Sequence, residues 1–234
     1  MKALKDQAVL RVRELSFSYP GRHVFTAWSF DFAPGITWVR GSNGSGKSTL
    51  LRLLGGALPA LTGGLQVRGI DCASAGLEYR REVFWCGPGA IAFEHLLPLE
   101  YFAFIAGLYP RFDFAAAQDT ALRLGLQPFL HKRLSALSTG TQRKVWLAAA
   151  LHAGTSVVLL DEPLNALDRN SLCTVRAALA AGTADARNAW IVVSHEALGE
   201  AETSAVTLDL DGSPRVQLPT CAENLNRIDT ALSQ

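Results

Sequence analysis

The stretch Gly41-Ser42-Asn43-Gly44-Ser45-Gly46-Lys47-Ser48-Thr49 constrains this chain more than any other. It fits the pattern G-x-x-x-x-G-K-[ST] without a mismatch. Glycines at Gly41, Gly44 and Gly46 let the backbone turn tightly and aim successive N–H groups inward, which makes a nest for an anion. Lys47 then reaches the β- and γ-phosphates of a nucleotide, and the Ser48 hydroxyl is a ligand for Mg²⁺. A helix starting here points its positive end at the same phosphates. The flanks agree. Ile36-Thr37-Trp38-Val39 reads as an apolar strand entering the loop, and Leu50 to Leu54 as the helix leaving it.

A second signal stands much later in the chain. Val157-Val158-Leu159-Leu160 is a run of large aliphatics that suits a strand buried on both faces, and it ends in Asp161-Glu162. In an α/β sheet ligands sit at the carboxyl ends of the strands. Asp161 is therefore placed to hold Mg²⁺ beside Ser48, and Glu162 to orient and deprotonate an attacking water. Taken alone, the same pair reads equally as a solvated acidic turn; the phosphate loop favours the catalytic reading. Trp190-Ile191-Val192-Val193 repeats the pattern and ends in Ser194-His195, so His195 is either a surface histidine or a γ-phosphate sensor. Tyr19, ending an early strand from Val9, is either packing or a platform for an adenine ring.

Between these signals the chain alternates character. Phe25 to Phe32 reads as a strand with Trp28, Phe30 and Phe32 on one face. Thr62-Gly63-Gly64 reads as a turn, and Leu65 to Gly69 and Val83 to Cys86 as short strands. From about Phe93 to Leu151 helical runs dominate: Leu99 to Leu108, Phe114 to Leu124, Val145 to Leu151. This block reads as an insertion, because the strand pattern resumes after it. Val206 to Leu218 reads as a hairpin turning at Asp211-Gly212-Ser213-Pro214, and Thr220 to Gln234 as a short helix or a loose tail. With 234 residues, 49% of them hydrophobic, a sizeable core is available. The net charge of +1 gives no reason to expect nucleic acid as a partner. Met1 to Gln7 lacks the apolar stretch of a secretory signal, and no apolar run reaches the roughly 20 residues of a membrane span. Cys72, Cys86, Cys173 and Cys221 show no metal-binding spacing. These features point to a soluble cytoplasmic protein.

Leu137-Ser138-Thr139-Gly140-Thr141-Gln142 precedes a helix read over Arg143 to Leu151. A Ser and a Gly at a helix start are either a plain N-cap or a second phosphate-binding surface. The first loop is already a complete site, so a second surface would complete the site of another copy. Taken in order, these motifs resemble the nucleotide-binding subunit of an ATP-binding cassette (ABC) transporter, over roughly Val9 to Leu218. Gly41 to Thr49 matches Walker A, Val157 to Glu162 Walker B, Leu137 to Thr141 the signature loop, and Asn165-Ala166-Leu167-Asp168 the D-loop. His195 matches the switch histidine and Tyr19 the adenine-stacking A-loop.

The resemblance implies an α/β P-loop NTPase with a RecA-like core sheet, an N-terminal antiparallel β subdomain and an inserted α-helical subdomain at about 90–151. It implies a single nucleotide-binding domain over 1–218 and a tail over 219–234. It further implies ATP hydrolysis with Mg²⁺ at Ser48 and Asp161, Glu162 as general base, and Lys47 and His195 on the phosphates. Two cassettes, a homodimer or a pair of paralogues, would close head to tail. ATP would lie between Gly41 to Thr49 of one and Ser138 and Gly140 of the other, with Asp168 linking the two sites. The implied partner is a separate integral membrane permease, which would hold the chain on the cytoplasmic face of the inner membrane. The Ser138 to Lys144 segment and Leu108 to Asp113 resemble ATPases of ABC-2-type exporters, including drug and haem exporter relatives. The aromatic helix from Tyr101 to Tyr109 stands where such proteins dock the coupling helix of the membrane subunit, or is simply core. Two motifs depart from the family pattern. Thr139 and Thr141 stand for Gly and Gln in the signature, and Gly87-Pro88-Gly89 stands where a Gln normally helps bind Mg²⁺ and couples ATP to the membrane subunit. Those departures keep two further readings open: a soluble ABC ATPase of a non-transport assembly, and an ATP-gated interaction module with weak hydrolysis.

Overall fold

The computed structural model describes residues 8–87, 93–184, 187–211 and 215–217. Its middle layer is a six-stranded sheet in the order β10-β9-β3-β8-β7-β6. The strands are β3 (Gly35–Arg40), β6 (Val83–Cys86), β7 (Val157–Asp161), β8 (Ala189–Val193), β9 (Val206–Asp209) and β10 (Arg215–Gln217). Strands β6, β7, β8, β3 and β9 run parallel, and β10 closes the edge antiparallel to β9. Every residue of β7 and β8 is buried, and the side chains split by parity. Val157, Leu159, Ala189, Ile191 and Val193 enter one core, while Val158, Leu160, Trp190 and Val192 enter the other. A sheet covered on both faces explains why these strands are continuous apolar runs rather than alternating ones.

The first core lies under the antiparallel sheet β2-β1-β4-β5 (β1, Leu10–Tyr19; β2, Arg22–Phe32; β4, Thr62–Val67; β5, Ile70–Asp71). Helix α1 (Lys47–Leu54) fills it with Leu50, Leu51, Leu53 and Leu54, and the short α2 (Gly76–Arg81) adds the buried Tyr79. Trp28, Phe30 and Phe32 pack together along β2: the Trp28 and Phe30 rings stack at 5.9 Å, and Phe30 meets Phe32 edge-on at 4.6 Å. Thr62-Gly63-Gly64 is not a turn but the start of β4, pairing Thr62 with Ser16 and Gly64 with Arg13. The reason is a bulge in β1 at Glu14 (φ 48), whose backbone crowds Gly63. A Cβ at Gly63 would lie 2.5 Å from the Arg13 and Glu14 carbonyl oxygens, so the glycine serves close pairing.

The second core holds the helical insert: α3 (Pro98–Leu108), α4 (Phe114–Arg123) and α5 (Thr139–Leu151). Pro98 opens α3 at a position whose N–H has no intrahelical partner, and the Asp113 carboxylate caps α4 through the Ala116 N–H at 2.9 Å. Helix α5 begins at Thr139 rather than Arg143, because Ser138 caps it and the polar first turn is helical too. The long helix α6 (Arg169–Ala184) and the short α2 were not readable as helices from apolar spacing. Pro88, Gly89 and the segment 219–234 lie outside the described residues.

Candidate functional site

The carboxyl ends of β3, β7 and β8 meet the hairpin β1–β2 around one cavity of about 370 Å³. Its walls include Tyr19, Arg22 and Val24 from the hairpin, Asn43 to Thr49 apart from Ser45, and Asp161, Glu162, Asn165, Val193 and His195. The phosphate loop, the ends of β7 and β8 and Tyr19 therefore converge, whereas Ser138, Gly140 and Asp168 do not line the cavity.

The phosphate loop is shaped by its neighbours. Gly46 holds φ 104 at the N-cap position of α1 and contributes no side-chain cap, so the first N–H groups of the helix face the cavity without a protein acceptor there. A Cβ on Gly46 would lie 2.7 Å from Val24 Cγ1, because β2 packs directly on the loop. Lys47 is nearly buried, and its ammonium donates to the carbonyls of Gly41 (2.7 Å) and Ser42 (2.9 Å). Arg22 donates to the Gly44 carbonyl from the hairpin side. Ser45 Oγ is buried and carries no hydrogen bond.

Asp161 is buried at the end of β7, and burial raises its carboxyl above the ordinary carboxylate value. A hydrogen bond with Ser48 and the positive charges of Arg52, Lys47 and Arg143 work against that rise. Glu162 follows with φ 51, an uncommon conformation for a residue with a Cβ. Its N–H continues the sheet ladder to the Val193 carbonyl at 2.8 Å, which sets the side chain beside the end of β8. There Glu162 Oε2 accepts from the His195 N–H at 3.2 Å, while Oε1 is buried, has no hydrogen bond and lies 3.5 Å from His195 Nε2. The turn carrying His195 is itself anchored, since the Trp38 indole donates to the Ser194 carbonyl at 3.0 Å.

Among the described residues no group of three or more His, Cys, Asp or Glu side chains could hold a metal ion. The hydroxyl of Ser48 and the carboxylate of Asp161 are hard oxygen donors. That set fits Mg²⁺, which binds through one or two protein oxygens, waters and substrate phosphates.

Tyr19 is 37% exposed, packs edge-on against Phe17 with ring centroids 4.9 Å apart, and lies 3.5 Å from Thr49 Oγ1 through its hydroxyl. Tyr19 thus lines the cavity while partly exposed. Ser138 and Gly140 do not line the cavity. The Ser138 hydroxyl accepts from the Thr141 N–H at 3.2 Å and pairs with the Thr141 hydroxyl at 2.8 Å, so it caps α5 within the chain. A Cβ at Gly140 would approach the Ala166 carbonyl to 3.2 Å, and Arg143 donates to the Asn165 carbonyl at 2.8 Å. The signature loop and the D-loop are therefore packed against each other.

Asp168 stands apart from the cavity as well. It accepts from the Ser171 N–H and hydroxyl, both at 2.9 Å, and pairs with Lys144. These bonds, Lys144 first, hold its carboxyl well below the ordinary carboxylate value. Sequence reasoning missed Arg22, Val24 and Asn165 as cavity walls. It also missed Asp211, which accepts from both the N–H and the hydroxyl of Ser42. Only the nearness of Arg22 to Tyr19 could have flagged one of them; Asp211 meets the loop through sheet topology alone.

Comparison with known proteins gives the family and the fold. The family model described as ABC transporter matches residues 25–165. The cytochrome c biogenesis ATP-binding export protein CcmA of Cupriavidus pinatubonensis is 37% identical over 171 residues, covering 70% of this chain and 73% of the relative. The solved ATP-binding subunit of an ABC transporter superposes with a TM-score of 0.78 at 20% identity, covering 97% of this chain and 100% of that one. A dimeric ATP-binding cassette in a post-hydrolysis state with ADP and Pi superposes with a TM-score of 0.73 at 18% identity, covering 89% and 98%. At such identities the structural likeness speaks for the fold.

Proposed function

The chain belongs to the ABC transporter family, as one of its ATPases, and we propose that it powers a separate membrane permease, in an exporter, by closing head to tail on ATP. The observation that carries the reading is the convergence of Lys47, Ser48, Asp161, Glu162 and His195 on one cavity at the sheet's carboxyl edge. In this reading the adenine stacks on Tyr19, and the triphosphate lies along the open N-terminus of α1 with Lys47 on its β- and γ-phosphates. Mg²⁺ held at Ser48 and Asp161 would neutralise charge on the phosphate oxygens.

Hydrolysis then needs one protein base. Glu162 accepts a proton from a water as that water's oxygen bonds to the γ-phosphorus and the bond to the ADP oxygen breaks, giving ADP and phosphate. His195 steadies Glu162 and contacts the γ-phosphate. The Glu162 oxygen without a hydrogen bond, buried beside His195, suits that role, because a base with every lone pair engaged would accept no proton. Ser138 and Gly140 of a second cassette, self or paralogue, cover the triphosphate from the other side, and Asp168 relays between the two sites. Residues 1–218 form the nucleotide-binding domain, with 219–234 as a tail.

Support for a membrane partner comes from a relative, since CcmA is by name an export protein. Phe104 and Leu108 of α3 are exposed, which offers an apolar face to a permease at the cytoplasmic side of the inner membrane. The test is affinity purification of the Glu162→Gln variant with ATP from detergent-solubilised membranes, the bound chains being identified by mass spectrometry. A polytopic membrane protein in near-equal amount is the expected result. Soluble partners only, with the bait absent from membranes, would replace transport by a soluble assembly.

A further inference from the structure

We propose that Asp211 is a positioning residue of the nucleotide site, anchoring the entrance of the phosphate loop to the strand pair at the far edge of the sheet. Asp211 follows β9, which runs parallel to β3 with Asp209 opposite Arg40. The Leu210 N–H donates to the Arg40 carbonyl at 3.0 Å, and the Asp211 N–H to Asp209 Oδ1 at 2.9 Å. The backbone is thus fixed at Leu210 and at Asp211 itself. Both carboxylate oxygens lie 2.8 Å from the Ser42 N, and Oδ1 is also 2.8 Å from the Ser42 Oγ.

Ser42 is therefore gripped from two directions. Lys47 takes its carbonyl from inside the loop, while Asp211 takes its N–H and hydroxyl from outside. These bonds hold the Asp211 carboxyl below its ordinary value, the Ser42 N–H contributing most. The consequence is geometric. With Ser42 tied outward and its carbonyl also accepting from the Ser45 N–H at 3.1 Å, the other N–H groups from Asn43 onward are the ones left to form the nest, and Lys47 is held at the loop's mouth. Asp211 also shares a polar cavity of about 250 Å³ with His195, which in turn lines the nucleotide cavity. A change in the β9–β10 pair thus has a direct path to the phosphate loop.

The inference rests on the nucleotide cavity described above, and its test separates the two. MgADP binding by calorimetry and steady-state ATP hydrolysis are measured on the full chain, wild type against Asp211→Ala, Asp211→Asn and Ser42→Ala. Asp211→Ala should raise the Kd for MgADP and the KM for ATP about tenfold, the scale of a lost charge-assisted hydrogen bond. Its kcat should stay within about twofold, because Asp211 touches no reacting atom. Asp211→Asn keeps an acceptor for the Ser42 N–H and should recover most of the affinity. Combined with Ser42→Ala, the loss should be less than additive. An unchanged Kd in Asp211→Ala, a fall in kcat at constant KM, an Asn variant as weak as Ala, or strict additivity would each overturn the anchor. Failure of the wild type to bind MgADP would instead remove the cavity's assignment and the anchor with it.

Discussion

Two helices of this chain start at sequences that bind phosphate in other contexts, and they start differently. Helix α1 opens at Gly46, left-handed and without a side-chain cap, so its first N–H groups have no partner from a capping side chain. Helix α5 opens at Ser138, whose hydroxyl already accepts from the Thr141 N–H. The first terminus is an anion site by construction, held open by Val24 beside Gly46 and by Lys47 and Arg22 on the loop carbonyls. The second is a finished helix start that needs no ligand to be stable. One chain thus carries an open anion-receiving terminus and a helix start that satisfies itself, which suits the proposed closing on a second cassette.

The largest expected effect breaks the chemistry at the first terminus and leaves the second alone. Glu162→Gln keeps the shape and the acceptor for the His195 N–H but removes the base. Turnover should fall by roughly 10²- to 10⁴-fold while nucleotide affinity is retained. Single-turnover ATPase and nucleotide binding on the same preparation check both halves, and residual turnover near wild type would remove Glu162 from its role.

A smaller effect tests the second terminus. Ser138→Asp preserves the N-cap, since Asp caps as well as Ser, but sets a carboxylate where a triphosphate would arrive. Turnover should drop by about one to two orders of magnitude with the melting temperature and MgADP affinity of the isolated chain unchanged. If turnover survives, Ser138 is a cap and nothing more. This choice of substitution matters, because Ser138→Ala would lose the cap and confuse stability with function.

Smaller again is the base platform. Tyr19→Ala should raise the KM for ATP about fivefold, the scale of one stacked ring, at nearly constant kcat. Equal losses of affinity for ATP and inorganic triphosphate would contradict stacking, since only ATP has a ring to lose.

How much of this was legible in the sequence follows the range of the forces involved. The phosphate loop, the end of β7 and the end of β8 could be read because each couples a local pattern to a chemical demand. An apolar run sets the strand, and the polar residue after it stands at the sheet's ligand edge. The doubly covered sheet was implied by the unbroken run Val157 to Leu160, whose alternate residues do enter separate cores. Helix α6 escaped because its start is polar and its apolar positions are mostly alanine, which carries little periodic signal. The start of β4 was misread because Gly63-Gly64 looks like a turn until the bulge at Glu14 opposite it is known. Asp211 could not be found at all: its partner Ser42 is brought to it only because β9 pairs with β3.

The smallest expected effect lies at the other end of α5 and asks whether the insert is held independently of the site. His152 ends that helix half-buried, its Nε2 2.7 Å from the Thr120 hydroxyl on α4, and its carbonyl accepts from the Asp113 N–H at 3.0 Å. Burial pushes the imidazole below its ordinary value of 6.5; Asp113 and Asp119 oppose this, and Arg123 adds to it. As pH falls below that ordinary value the unfolded chain takes up the proton first, so protons bound in the unfolded state exceed those in the native state and stability declines. The contribution is therefore complete above about pH 6.5 and lost as the pH drops through the lower folded value. Thermal unfolding from about pH 7.5 down to about pH 5 should show the wild type losing more stability across the acid half than His152→Gln, which keeps a hydrogen bond for Thr120 but does not titrate. Because the joint between α4 and α5 lies away from the nucleotide cavity, the same acid shift should leave the loss of turnover in Ser138→Asp unchanged in proportion. A parallel loss in both proteins would assign the acid sensitivity to another group.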